Sequence, residues 1–92
     1  MRILQTNQFK KTYKKLLPSR LKDINEALEA VIADPEIGEQ KKGDLDWLRV
    51  YKFKANNRLT LLGYNLNQET QELTLTFVAL GSHENFYRDL KR

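Results

Sequence analysis

The spacing of apolar residues changes from helical to alternating near the middle of this 92-residue chain, and that change restricts the folds it can form. Phe9, Tyr13 and Leu16 recur at i, i+4 and i+7, which predicts one apolar stripe on a helix spanning residues 7–17. A second helical pattern begins at Pro18-Ser19 and stops at Asp34-Pro35. Two short amphipathic helices joined by a tight turn predict an antiparallel helical hairpin.

The rest of the chain reads as strands and turns. A short apolar run, Arg2–Thr6, precedes Asn7, a candidate helix cap, and the polar residues 35–46 predict a loop. The later strand-like runs are Trp47–Lys54, Arg58–Asn65 and Glu72–Leu80, with a tight turn at Asn56-Asn57, a longer turn over residues 67–71, and a final helix over His83–Lys91. We therefore predict a single α+β domain over residues 1–92. Its helical hairpin would pack on a curved, mainly antiparallel four-stranded sheet in the order β-α-α-β-β-β, followed by a short C-terminal helix.

The composition narrows the classes of function. With no cysteine, the chain has no disulfide framework, thiolate zinc site or cysteine nucleophile. One histidine and scattered carboxylates make a metal site or another cofactor unexpected. The N-terminus lacks the apolar run of a signal peptide, and no stretch approaches the roughly 20 apolar residues of a membrane span. We expect a soluble cytoplasmic protein with no membrane partner.

The charges are sorted along the chain, which carries a net charge of +4. Residues 1–22 contain seven basic side chains and no acid, residues 23–46 are mainly acidic, and residues 47–65 are again purely basic. Such sorting predicts a polyanion or an acidic peptide as partner. The lysines of the first helix could equally form an ordinary solvated face: Lys10, Lys11, Lys14 and Lys15.

Alternation along the strands predicts which side chains leave the sheet on its open side. If Leu48, Val50, Leu59 and Leu61 pack on the helices, the opposite face carries two arginines among aromatic residues. Arginines bind phosphates and aromatic rings stack on bases, so this face would suit RNA. The alternative is a second hydrophobic layer of aromatic residues with arginine stems packed between them. The residues concerned are Arg49, Tyr51, Arg58 and Tyr64.

His83 and Tyr87 stand at i and i+4 of the predicted final helix and therefore share one of its faces. Histidine is the side-chain type that exchanges protons near neutral pH, which general acid–base catalysis requires. Two structural alternatives remain open: His83 could only cap the helix, and Tyr87 could pack on the core beside Phe86.

Three segments together resemble the RelE/ParE toxin superfamily of type II toxin–antitoxin systems: Gly43–Tyr51, Arg58–Leu61 and Leu80–Tyr87. The predicted order of elements also agrees with that fold, so the resemblance covers nearly the whole chain. The ending glycine–small–His–x–x–x–aromatic is similar to the RelE/YafQ-like mRNA interferase branch.

The resemblance implies a metal-independent endoribonuclease that cuts mRNA in the ribosome and inhibits translation. It assigns phosphate binding to Arg49 and Arg58, proton transfer to His83, and base stacking or shared proton transfer to Tyr87. Ribosomal RNA would be contacted by Tyr51, Lys52, Lys54 and the four lysines of the first helix. A cognate antitoxin would be a partner, with an acidic segment along Arg49, Lys52, Lys54 and Arg58, and the toxin–antitoxin complex would bind operator DNA through the antitoxin.

Two other functions stay open. A ParE-like toxin with the same fold would inhibit DNA gyrase without cutting RNA, and it would not need the His83, Tyr87 and Arg58 set. A protein-interaction domain that has lost its activity is the third possibility.

Overall fold

The computed structural model describes residues 1–90, apart from the side chain of Asp89. The elements are β1 (Arg2–Gln5), α1 (Asn7–Lys14), α2 (Pro18–Ala33), β2 (Glu39–Gln40), β3 (Arg49–Ala55), β4 (Arg58–Glu69), β5 (Glu72–Ser82) and α3 (His83–Leu90), with a 3₁₀ turn at Gly43–Leu45. The strands form one sheet in the order β1-β5-β4-β3-β2. Only the β1–β5 pair is parallel within this described part of the chain.

The α+β class, the helical hairpin, the mainly antiparallel sheet and the final helix are confirmed. The predicted strand count of four was wrong, because a fifth short strand, β2, forms inside the segment predicted as a loop. Glu39 pairs with Val50 and Gln40 pairs with Arg49 at the edge of the sheet. Two polar residues give no sequence pattern that distinguishes a short edge strand from a loop. Lys91, the predicted last residue of α3, lies outside the described residues.

The two hairpin turns differ in how well the sequence predicted them. Asn56 and Asn57 have φ values of 52° and 65°, which confirms the tight turn between β3 and β4. The longer turn over residues 67–71 was wrong, since β4 runs to Glu69 and β5 begins at Glu72. These strand ends extend as an exposed ribbon, so their polar side chains resembled those of a loop.

The N-terminal end of α1 is tied to the sheet through Thr6, which caps the helix in place of the predicted Asn7. The Thr6 hydroxyl accepts a hydrogen bond from the Phe9 amide (3.1 Å) and donates one to the Val78 carbonyl (2.8 Å). Val78 lies at a bulge in β5, because Gly63 pairs with Ala79 while Tyr64 pairs with Phe77. Thr6 therefore connects the start of α1 to the bulge in β5.

The sheet has apolar side chains on both faces, and each face has its own helical cover. On the hairpin face, α1 and α2 contribute Phe9, Ile24, Ala27 and Val31 to a core shared with the sheet residues Leu62, Tyr64, Leu75 and Phe77. On the other face, which we call the α3 face, the buried cluster consists of Leu48, Val50, Leu61, Ala79 and Phe86.

The predicted facing of the strands was therefore wrong. Val50 and Leu61 lie on the α3 face, while Tyr51, Leu62 and Tyr64 lie under the helical hairpin. Both alternating sets of side chains are apolar, so alternation alone does not decide which set the hairpin covers. Assigning the opposite set to the hairpin places every side chain of the strand on the other face of the sheet. The second face is also covered by α3, through Phe86, and is not open as predicted.

Gly63 allows α3 to approach the sheet closely. A Cβ atom at this position would lie 2.5 Å from Cζ of Phe86 and 3.2 Å from Cδ1 of Leu48. Gly81 lies on a neighbouring strand, where an added Cβ atom would meet nothing within 4 Å. The two glycines are thus a matched pair for testing how α3 docks.

We predict that Gly63→Ala destabilises the protein by about 1–3 kcal/mol, because Phe86 has to move out of a packed site. Gly81→Ala should change the free energy of unfolding by less than about 1 kcal/mol, and the smaller unfolded-state entropy of alanine favours stabilisation. Urea denaturation of both variants measures the difference. Equal changes in the free energy of unfolding for the two substitutions would contradict close packing of α3 on Gly63.

Candidate active site on the α3 face

His83 and Tyr87 lie together at the start of α3, as their i, i+4 spacing predicted. Their ring centroids are 5.8 Å apart with an interplanar angle of 72°. His83 is exposed, whereas Tyr87 is half-buried and its ring also contacts Phe86 edge-on at 5.0 Å. Tyr87 therefore packs on the core and borders the exposed histidine at the same time, so the structural and functional interpretations of this residue are compatible.

Lys41 also belongs to this site, although no sequence pattern predicts it. Its ammonium nitrogen lies 5.7 Å from the centroid of the Tyr87 ring and 3.2 Å from Oε1 of Glu39. Interaction with Tyr87 is the largest of the effects that raise the Lys41 pKa above its usual 10.5, Glu39 adds to it, and partial burial opposes it. Lys41 consequently carries its positive charge at neutral pH. No motif marks it, because it stands in a polar segment beside a second lysine, Lys42.

The register of the sheet places two more lysines on the same face. Lys52 pairs with Leu61, which pairs in turn with Gly81, two residues before His83. Lys54 pairs with Leu59, two residues nearer the turn between β3 and β4. Both lysines are exposed. The α3 face thus combines an exposed histidine, a tyrosine and lysines from β3 and from the residue after β2.

Arg49 lies on the hairpin face, where its side chain anchors the loop that follows α2. Its Nη1 donates hydrogen bonds to the carbonyls of Gly38 (2.9 Å) and Glu36 (3.3 Å). Arg49 pairs across the strands with Tyr64, whose hydroxyl donates to the Pro35 carbonyl (2.7 Å) and accepts from the Gly38 amide (2.9 Å). The predicted placement of Arg49 and Tyr64 on an open face was wrong, and together they fix the segment that leads to Lys41.

Arg58 and Tyr51 also fall on the hairpin side of the sheet. Arg58 shares its side of β4 with Thr60 and lines a cleft beneath the start of α2. Tyr51 is half-buried and stacks on Phe53 at 5.8 Å, next to α2. The predicted open face with Arg49, Tyr51, Arg58 and Tyr64 does not form, and an antitoxin segment cannot follow Arg49, Lys52, Lys54 and Arg58 along one face.

The lysines of the first helical segment are all exposed, on or directly after α1: Lys10, Lys11, Lys14 and Lys15. Their contact with ribosomal RNA stays a prediction. In the part of the chain that the structure covers, no group of three or more histidine or carboxylate side chains could hold a metal ion. Within residues 1–90, no helix has the length and apolar character needed to cross a membrane.

A family model described as "ParE-like toxin of type II bacterial toxin-antitoxin system" matches residues 3–91. The chain belongs to this family. It is thus a toxin of the RelE/ParE superfamily, and membership implies a cognate antitoxin as partner. The fold is similar to that of a YoeB/ParE toxin from Agrobacterium tumefaciens, with a TM-score of 0.72 and 18% sequence identity over 90% of this chain and 99% of the other. No curated protein matches the sequence.

We predict that Tyr64→Phe destabilises the toxin by about 1–3 kcal/mol at pH 7, because the buried Gly38 amide loses its acceptor. Burial raises the pKa of Tyr64 above its usual 10.0, so the fold favours the neutral phenol. Its contribution is therefore complete below about pH 10 and declines as the pH rises further. Urea denaturation at several pH values should show the gap between parent and variant narrowing above pH 10.

Tyr13→Phe is the matched control for this experiment. The Tyr13 hydroxyl donates to Oδ1 of Asn25 (2.8 Å) in an exposed position, so its loss should cost no more than about 0.5 kcal/mol. A gap between parent and Tyr64→Phe that stays constant up to pH 11 would contradict a buried neutral phenol at position 64.

Proposed function

We propose that this toxin is a metal-independent endoribonuclease that cuts mRNA bound to the ribosome, with its active site on the α3 face. The observation that carries the proposal is the contact of the exposed His83 with Tyr87, whose ring is approached by the charged Lys41. A proton-exchanging group, a phenol and a cation are what RNA cleavage without a metal requires.

The reaction starts when the 2′-hydroxyl of a nucleotide attacks its own 3′ phosphate. The 2′ oxygen loses its proton as the new P–O bond forms, and the 5′ oxygen of the next nucleotide takes a proton as its bond to phosphorus breaks. The products are a cyclic phosphate, which can open to a 3′ phosphate, and a free 5′-hydroxyl end. His83 performs one of the two proton transfers, and Tyr87 stacks on a base or shares in the other.

Lys41 and Lys52 take over the phosphate-binding role that the family resemblance assigned to Arg49 and Arg58. The Arg49 guanidinium is engaged by two backbone carbonyls, and Arg58 lies on the other side of the sheet. A lysine ammonium is a flexible point charge, so these residues stabilise the developing charge without the two-pronged grip of arginine. Lys54 and the four lysines on or directly after α1 contact ribosomal RNA through charge alone.

The ribosome supplies the geometry that so small a site lacks. His83, Lys52 and Lys54 are all exposed. A partner that holds the message bent for in-line attack therefore contributes much of the rate. The toxin acts in the cytoplasm, where the cognate antitoxin restrains it, and the toxin–antitoxin complex binds operator DNA through the antitoxin.

Gyrase inhibition without RNA cleavage is the second candidate. The observation that favours it is that Arg49 and Arg58, both predicted to bind phosphate, do not lie on the face that carries His83 and Tyr87. A toxin that only binds gyrase needs neither proton transfer nor phosphate stabilisation. The two candidates therefore differ in their dependence on His83.

We predict that His83→Ala lowers the rate of mRNA cleavage on translating ribosomes by about 10²–10⁴-fold. Lys41→Met should lower the rate on the order of 10²-fold, because a charge that stabilises the transition state is lost. Lys42→Met, at the exposed neighbouring position, is the control and should cut at the parental rate. Primer extension on translated mRNA measures all three, and equal cutting by the parent and His83→Ala would show that the site is assigned wrongly.

A supercoiling assay with purified gyrase, run on the same proteins, separates the two candidates. The nuclease proposal predicts that the parent protein does not inhibit gyrase in this assay. It also predicts that, in cells, His83→Ala arrests growth much less than the parent does. Gyrase inhibition that His83→Ala retains, together with intact mRNA, would establish the second candidate instead.

A further inference from the structure

A second cluster of polar side chains lies on the opposite side of the sheet from His83 and Tyr87. It lines a cleft of about 180 Å³ between the turn of the helical hairpin and the ends of β4 and β5. Arg20 from the first turn of α2 and Arg58 from β4 both line it, and Leu16 and Ile24 form part of its apolar wall. We call it the arginine cleft.

Neither arginine is neutralised by the protein. The buried Nε of Arg20 has no hydrogen-bond partner among residues 1–90, and no ion pair joins Arg20 or Arg58 to a described carboxylate. Asp23, one turn along α2 from Arg20, instead accepts a hydrogen bond from the Asn56 amide (2.8 Å). A buried donor without an acceptor is destabilising, and two like charges at one cleft repel each other. Both costs are relieved when an anion binds.

The remaining polar groups of the arginine cleft suit an oxyanion. Thr12, Thr60 and Ser82 contribute hydroxyl groups, and no acidic side chain of the described chain lines it. The Thr12 and Thr60 hydroxyls already donate their protons to the carbonyls of Gln8 (3.1 Å) and Arg58 (3.1 Å), so Ser82 is the hydroxyl of the three that can donate to an anion. Ser82 makes no side-chain hydrogen bond to the described residues. Two arginine forks and this serine hydroxyl match the several acceptor oxygens of a phosphate group better than the two of a carboxylate.

The position of the arginine cleft relates it to the candidate active site. Ser82 lines the cleft and is followed directly by His83, so the end of β5 separates the two sites. Thr60 of β4 pairs with Ser82 of β5 on the hairpin side, while Leu61 of β4 and its β3 partner Lys52 lie on the α3 side of the same sheet. A nucleic acid strand that turns round this end of the sheet contacts both.

We propose that the arginine cleft binds a backbone phosphate of the RNA strand other than the one that is cut, with Arg20 and Arg58 as its ligands. This assignment rests on the proposed nuclease function. Arg58 then acts on substrate binding and not on the reacting phosphate. Arg20, which no motif in the sequence marks, becomes its partner.

Titration of the ¹⁵N-labelled full-length toxin with inorganic phosphate tests the cleft itself. The Nε–H resonances of Arg20 and Arg58 should shift in a saturable way, and Arg20→Gln should weaken binding about tenfold or more, as expected for a charged hydrogen bond. Arg20→Lys keeps the charge without the fork and should fall between parent and Arg20→Gln. Lys22→Gln, an exposed change in the same helix, should bind as the parent does. Absence of saturable shifts at both arginines would overturn the proposal.

Steady-state cleavage of ribosome-bound mRNA tests the assignment to RNA. Arg20→Gln should raise KM about tenfold with kcat nearly unchanged, because the bound phosphate is not the reacting one. An unchanged KM in a variant that has lost phosphate binding would refute the RNA assignment. If the parent cuts no RNA at all, the nuclease function fails, and the phosphate titration still decides whether the arginine cleft is an anion site.

Discussion

The aromatic layer beneath the helical hairpin determines which side chains the sheet presents on its α3 face. Tyr51, Phe53, Tyr64 and Phe77 direct their rings toward α1 and α2, where Phe9 stacks on Phe77 at 5.5 Å. Because strand side chains alternate, burying these rings sends Lys52 and Lys54 to the other face. Among the described residues, that face is covered by the eight-residue helix α3 and by Leu45, and part of it stays exposed near His83.

The sequence predicted the helical hairpin, the tight Asn56-Asn57 turn and the final helix because each depends on local chemistry. Helical spacing, a proline at the start of α2 and asparagines with positive φ act within a few residues. The facing of β3 and β4 depends instead on which cover each side receives, and both sides are apolar. Strand β2 was missed for a related reason, since only its pairing with Val50 and Arg49 makes it a strand.

The candidate site was partly predictable for the same reasons. His83 and Tyr87 could be paired from spacing along one helix, and the structure places their rings in contact. Lys41 could not be found, because it reaches Tyr87 only after the Tyr64 and Arg49 hydrogen bonds have fixed the loop between α2 and β2. Arg58 illustrates the opposite case: its residue type suited phosphate, but its side of the strand could only be read from the register.

The parallel pairing of β1 with β5 joins the two ends of the chain, and the Thr6–Val78 hydrogen bond spans 72 residues of sequence. We expect contacts of this range to form late in folding, because closing a long loop has a large entropic cost. The β3–β4–β5 meander consists of neighbouring hairpins and can form earlier. During synthesis, α1 cannot pack on Phe77 until β5 has been made. The helix that carries His83 and Tyr87 is made after β5. A partly synthesised copy that stops before β5 therefore lacks the complete sheet, the covered face of α1 and the helix that carries His83 and Tyr87.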